Sequence, residues 1–254
     1  RIAVLIRPIL DLQAVVTQIA FIIKDVDKGN SETFYSYLEQ SRLRHKVLAE
    51  QFKRSLDDKN RAQLMLQLEL YGKIDEDLLT AHELAEHPIK KDLILCNLNQ
   101  IINLTMEEKK KLAELLGVHL EVIYPQTEEG SDLVLTAPAD IRWLGILLGK
   151  LVDMAVLLSN DRNYPKVGMY LDSKQNSILI SVRTSCLNTT DKDVVKFFEH
   201  NFGDLGNSTR LHLGSGLEGV IAKTIAAEFN NPLIVKMIGS VVSFELELAK
   251  KPEK

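Results

Sequence analysis

Apolar residues recur at spacings of three and four through Asp140–Ser159, where Leu144, Leu147, Leu148, Leu151, Val152, Ala155 and Leu158 mark one face of a helix. Pro138 precedes the stretch, and Asp140 is placed to cap its first turn. Near the amino terminus the same period predicts two more helices. The first covers Arg1–Asp27, with Val15, Ile19, Ile22, Ile23 and Val26 on one broad face and Gly29-Asn30 as its stop. The second covers Ser31–Leu56, with Phe34, Tyr37, Leu38, Val47, Leu48 and Phe52 on one side and Glu39, Arg42, Arg44, Lys46, Glu50, Lys53 and Arg54 on the other. Two long helices joined by a tight turn predict an antiparallel hairpin. A lone hairpin has little to bury its stripe against, so packing predicts a homodimer in which two hairpins form a four-helix bundle.

The pattern changes after residue 56. Asp57–Lys73 is mixed, and Ile74–His87 is acidic and amphipathic until Pro88 breaks it. Ile89–Thr105 reads as a helix with a short extended lead. From Met106 the order is helix, glycine stop at Gly117, and the alternating strand Val118–Tyr124. Leu133–Thr136 is a short strand. Val167–Asp172 and Ser177–Arg183 alternate at period two as an antiparallel pair. Asp193–Phe202 and Gly216–Phe229 read as helices, and Leu233–Met237 with Ser240–Leu248 as a last strand pair bent at Gly239. The fold class is therefore α+β: a helical domain over residues 1–105, with an insertion near 57–88, followed by an α/β sandwich over 106–254.

With 45% hydrophobic and 26% charged residues, the composition is that of a globular protein and not of a disordered chain. A formal net charge of -4 gives no reason to expect nucleic acid. Cys96 and Cys186 make neither a disulfide framework nor a zinc site, which points to a reducing, cytoplasmic-type compartment. No apolar run reaches the ~20 residues that span a bilayer. The chain begins at Arg1 instead of a methionine, so it reads as part of a longer protein with room for an upstream sensor.

Asp140, Leu144 and Leu147–Ala155 (LLGKLVDMA) resemble the N-box helix of histidine-kinase ATP-binding domains, D-x-x-x-L-x-x-v-L-x-N-L-l-x-N-A. Gly214–Asn231 resembles the second glycine box and its helix. Ile238–Ala249 is similar to the closing strand, and Phe197–Phe202 (FFEHNF) to the F box. The amino-terminal hairpin resembles the dimerisation and phosphotransfer helices of the same family. The resemblance implies a GHKL-type ATPase domain, with the vestiges of a nucleotide site at Asp140, Lys150, Met154, Thr184, Gly214, Gly216 and Glu218.

The family's chemistry is missing at most of these positions. Lys150 and Met154 replace the two N-box asparagines, and a thioether is a poor ligand for Mg²⁺. Thr184, within Thr184–Asn188, stands where the family places the aspartate that takes the adenine amino group. Glu218 replaces the third glycine, where a carboxylate repels a triphosphate. Lys150 is expected to be a solvated lysine on the open side of its helix. Val4–Leu10 (VLIRPIL) is the best match to the H box but has no histidine. His82 begins HELAEHP, which only superficially imitates that box; His119, His200 and His212 read as structural, and no metal site is expected.

These departures imply a two-component signalling protein that is a pseudokinase: a dimeric regulator or scaffold with no cofactor. A receiver domain or partner kinase would dock on Arg42, Arg44, His45 and Lys46, a basic cluster on an acidic chain. Two alternatives remain at this level. One is a histidine phosphotransferase using His45 as phosphoacceptor. The other is an active sensor kinase whose divergent site still takes ATP and Mg²⁺.

Overall fold

The computed structural model describes residues 58–86, 89, 93–159, 164–186, 198 and 215–250. The chain divides into two compact units, Arg1–Val47 and Leu48–Lys254. The first unit, and with it the predicted hairpin, lies outside the described residues.

The second unit is built on a five-stranded sheet. In chain order the elements are α1 (Asp58–Glu86), β1 (Ile94–Asn97), α2 (Leu98–Leu115), β2 (His119–Ile123), β3 (Thr136–Ala139) and α3 (Ile141–Leu158). They continue with β4 (Lys166–Ser173), β5 (Ser177–Ser185), α4 (Glu218–Glu228), β6 (Leu233–Ile238) and β7 (Val241–Ala249). The large sheet has the order β2-β4-β5-β7-β6, and β1 pairs separately with β3. Only β2 and β4 run parallel in the large sheet; the other neighbours are antiparallel.

Strand alternation fixes the layers. Val167 and Met169, Ile180 and Val182, and Val242, Phe244 and Leu246 are buried with the apolar faces of α2, α3 and α4 in one core. The alternate positions, such as Arg183 and Lys236, point to the open face of the sheet. The α3 helix is the centre of the core: Leu148, Leu151, Val152, Met154, Ala155, Val156 and Leu158 are completely buried. Its start is as the sequence predicts, with Asp140 Oδ1 accepting from the Trp143 N–H at 3.1 Å.

Three segments differ from the sequence reading. Asp58–Glu86 is one continuous helix instead of a mixed segment followed by a short acidic helix. Gly72 stands near the expected break, but a single interior glycine only weakens a helix and does not stop it. The stretch from Ile89 resolves into strand β1 and a helix that runs on to Leu115, so the expected boundary at 105/106 falls inside α2. Asn97 caps that helix through the Gln100 N–H. The short strand expected at Leu133–Thr136 lies at Thr136–Ala139, in register with β1.

On the open face of the sheet the Tyr170 ring lies over Gly168. A Cβ at Gly168 would stand 2.5 Å from the ring. The ring cannot easily retreat, because the Arg183 guanidinium stacks 4.6 Å from its centroid and its hydroxyl donates to Glu121 at 3.2 Å. Gly168→Ala is expected to cost about 1–3 kcal/mol, the usual range for overpacking, with the loss visible as an earlier midpoint in urea unfolding.

Candidate functional site

Two of the candidate nucleotide positions, Lys150 and Glu218, lie where α1 crosses the helix layer. α1 runs antiparallel to α3, and charge pairs set the register. Glu83 takes Arg142 at the start of α3 in a two-pronged contact of 2.7 and 2.5 Å. Asp77 and Glu76 take the Lys150 ammonium at 2.6 and 3.0 Å. Lys73 pairs with Asp153 one turn further on. The α2 helix sends Lys109 to the same Asp153 carboxylate at 3.3 Å. Lys109 reaches it by passing over Gly149, where a Cβ would come within 2.9 Å of its Cε.

Lys150 is therefore not the solvated residue expected from the sequence; it is 1% exposed. The physical reason is α1, which covers the side of α3 that would otherwise face solvent. Burial by itself lowers the tendency of this ammonium to stay charged, but Asp77, Asp153 and Glu76 together raise its pKa above the ordinary lysine value. The same contest is resolved in the same way at Asp153. Complete burial favours the neutral acid, and Lys73, Lys109 and Lys150 hold the carboxyl below the ordinary aspartate value.

The other sequence-predicted residues fall into three groups. Met154 is completely buried in the apolar core, and the Thr184 hydroxyl is committed to the Lys166 carbonyl at 3.1 Å. Gly216, with φ of 72°, turns the chain into α4, and Glu218 occupies the first turn of that helix, 1% exposed. Asp140 caps α3 and borders a separate cavity of about 390 Å³ lined in part by Leu144, Ile225, Phe229 and Glu247. Gly214, Arg42, Arg44, His45, Lys46, His200 and His212 lie outside the described residues. His82 sits partly buried on α1, and the exposed His119 packs its ring 5.8 Å from that of Tyr164.

Ser215 joins Glu218 to α1. Its N–H donates to Glu218 Oε1 at 2.9 Å, and its hydroxyl donates to Asp77 Oδ2. Glu218 Oε2 is buried without a hydrogen-bond partner among the described residues. Burial and then the neighbouring Asp77 push the Glu218 carboxyl above the ordinary glutamate value. No group of three histidine, cysteine, aspartate or glutamate side chains that could hold a metal occurs among the described residues. No described helix is long and apolar enough to cross a membrane.

Sequence reasoning missed Lys73, Glu76, Asp77, Lys109, Asp153 and Ser215. Asp153 had left one signal, a charged residue flanked by Leu151, Val152, Met154 and Ala155 in the most apolar helix. The stripe Lys73, Glu76, Asp77, Thr80 at helical spacing had left another, which is indistinguishable in sequence from a solvated face.

No known family profile matches the chain, and no curated protein sequence does. Solved structures do. The chain is similar to the Acinetobacter baumannii histidine kinase AdeS, with 14% identity over 86% of this chain and 95% of that one and a TM-score of 0.55. It is similar to full-length ShkA in complex with AMPPNP, with 16% identity, 87% and 47% coverage and a TM-score of 0.58. It is also similar to the histidine kinase ThkA in complex with the response regulator protein TrrA, with 18% identity, 89% and 63% coverage and a TM-score of 0.55. The fold is that of a histidine-kinase core with a GHKL-type domain.

Asp153→Asn leaves Lys73 and Lys109 buried beside a neutral amide. Removing one partner from a buried charge cluster costs about 3–5 kcal/mol, and chemical denaturation should show a loss of that size. The depressed carboxyl also fixes a pH dependence. Stability from Asp153 is present above the ordinary aspartate value and is lost as pH falls through the lowered one. Acid titration of unfolding should show this component in the wild type and not in Asp153→Asn.

Proposed function

We propose that the chain is the core of a two-component signalling protein that keeps the kinase architecture without its ATP chemistry and works as a dimeric regulator or scaffold. The observation that carries this reading is that the chain fills its own nucleotide position. Lys150, Met154 and Glu218 are buried, and Asp77 of α1 is seated against Lys150 and Ser215. A triphosphate entering here meets the buried Asp77 carboxylate where solvent screens poorly, a repulsion on the order of a kcal/mol or more. The adenine end lacks a carboxylate as well, since the Thr184 hydroxyl already donates to backbone.

The partner in this reading is a receiver-type protein. The similarity to a histidine kinase in complex with a response regulator supports it. So does the basic cluster Arg42, Arg44, His45, Lys46, which suits an acidic surface and would steer encounter through long-range charge. Dimerisation rests on the apolar stripes of residues 1–56, since burial is worth about 25 cal/mol per Å² and a hairpin alone offers too little surface.

Calorimetric titration with Mg·ATP is expected to give no binding; micromolar affinity would overturn the proposal. Arg42→Glu with Arg44→Glu should slow association with a receiver domain and make it less salt-sensitive, while light scattering still reports a dimer. Unchanged association with the charge-reversed chain would remove the proposed docking face.

A further inference from the structure

The face that α1 presents to the helix layer is unusual for a docked helix. Its buried residues include Lys73, Asp77 and Thr80 beside Leu70 and Leu78, with Leu66, Ala81 and Leu84 packed at the edge of the core. Such an interface sets a buried charge cluster among apolar contacts, and its stability depends on the charge balance of that cluster. That balance can be read group by group. The α1 helix brings Lys73, Glu76 and Asp77; α2 brings Lys109; α3 brings Lys150 and Asp153; and the turn into α4 brings Ser215 and Glu218. Asp75 is two residues from Asp77 and therefore on another side of the helix. Among the described residues, with every group ionised, three lysines face four carboxylates.

Among the described residues the excess charge has one place to go. Glu76 is exposed on its outer side, and Asp77 and Asp153 each have lysine partners. Glu218 has no cation at ion-pair distance among the described residues. It is linked to Asp77 only through Ser215, and its second oxygen is buried without a hydrogen-bond partner.

We propose that α1 is a proton-gated cover over α3 and α4: it stays docked while the Glu218 carboxyl carries a proton opposite Asp77, and it lifts when that proton is lost. This regulation rests on the reading that α1 fills the nucleotide position. The direction of the pH dependence follows from the raised Glu218 value. A group raised on docking stabilises the docked state fully below its ordinary value, and that contribution disappears as pH rises through the raised one. Loss of the proton leaves two buried carboxylates sharing one serine, and lifting α1 returns both to water. The uncovered surface then presents Lys150 and the amino-terminal turn of α4.

Hydrogen exchange of the whole chain, followed by mass spectrometry from mildly acidic to alkaline pH, tests the proposal. Rates are corrected for the intrinsic pH dependence of exchange. Protection of α1 peptides should fall as pH rises, with a limiting slope of about tenfold per pH unit for a single proton. Protection of β5 and β7 should not follow it. Glu218→Gln keeps the acceptor for the Ser215 N–H and puts a donor opposite Asp77, so α1 should stay protected across the range. Asp77→Asn removes the opposing charge and should also flatten the profile, which keeps the test open if Glu218→Gln does not fold. Protection of α1 that is flat in the wild type, absent at every pH, or equally pH-dependent in the variants that fold overturns the proposal. The experiment contains no nucleotide. A pH-independent α1 therefore removes the latch and leaves the filled-site reading standing, whereas ATP binding seen by calorimetry removes that reading.

Discussion

The completely buried carboxylate of Asp153 sets the terms for the helix layer, with that of Asp77 equally buried beside it. A lone charge at that depth is prohibitively costly, so it must be neutralised by protonation or by cations brought to it. Cations are brought: Lys73 from α1, Lys109 from α2, and Lys150 one turn earlier on α3 itself. Each lysine then constrains its own helix. Lys109 needs the bare backbone of Gly149 to pass, and Lys150 needs acidic partners, which Glu76 and Asp77 supply. These pairs run along α1 and α3 in opposite order, so they fix the antiparallel direction of α1, while Leu66, Leu70, Ala81 and Leu84 pack it onto the core.

The sheet and the inner faces of α2, α3 and α4 follow a different rule. Their cohesion is apolar and continuous, from Leu98 and Ile102 through Leu148 and Val152 to Val182 and Phe244. α1 adds Leu70 to this core and packs Leu66, Ala81 and Leu84 against it. The described residues thus combine an apolar α/β sandwich with one helix attached by ion pairs as well as by apolar contact, and the two kinds of contact respond to different solution conditions. Salt and pH act on the ion pairs, while temperature and denaturant act on the apolar contacts.

The departures from the kinase pattern gain a structural meaning in this arrangement. Lys150 and Glu218 do not sit as idle replacements for an asparagine and a glycine. Lys150 is the anchor of α1, and Glu218 shares Ser215 with Asp77. Two residues that depart from the kinase pattern are thus the same ones that receive the covering helix.

The sequence by itself determined the apolar frame. The period of Leu144, Leu147, Leu148, Leu151 and Leu158, the cap at Asp140, and the alternation in β4, β5 and β7 are local signals, because helix and strand periods are written in neighbouring residues. They carried the α/β sandwich and the likeness to a histidine-kinase core. The burial of Lys150 was decided only by tertiary structure. A charged stripe such as Lys73, Glu76, Asp77 has the same spacing whether it faces water or a partner helix, and the ion pairs that distinguish the two cases join Lys73 to Asp153 and Asp77 to Lys150, far apart in the chain.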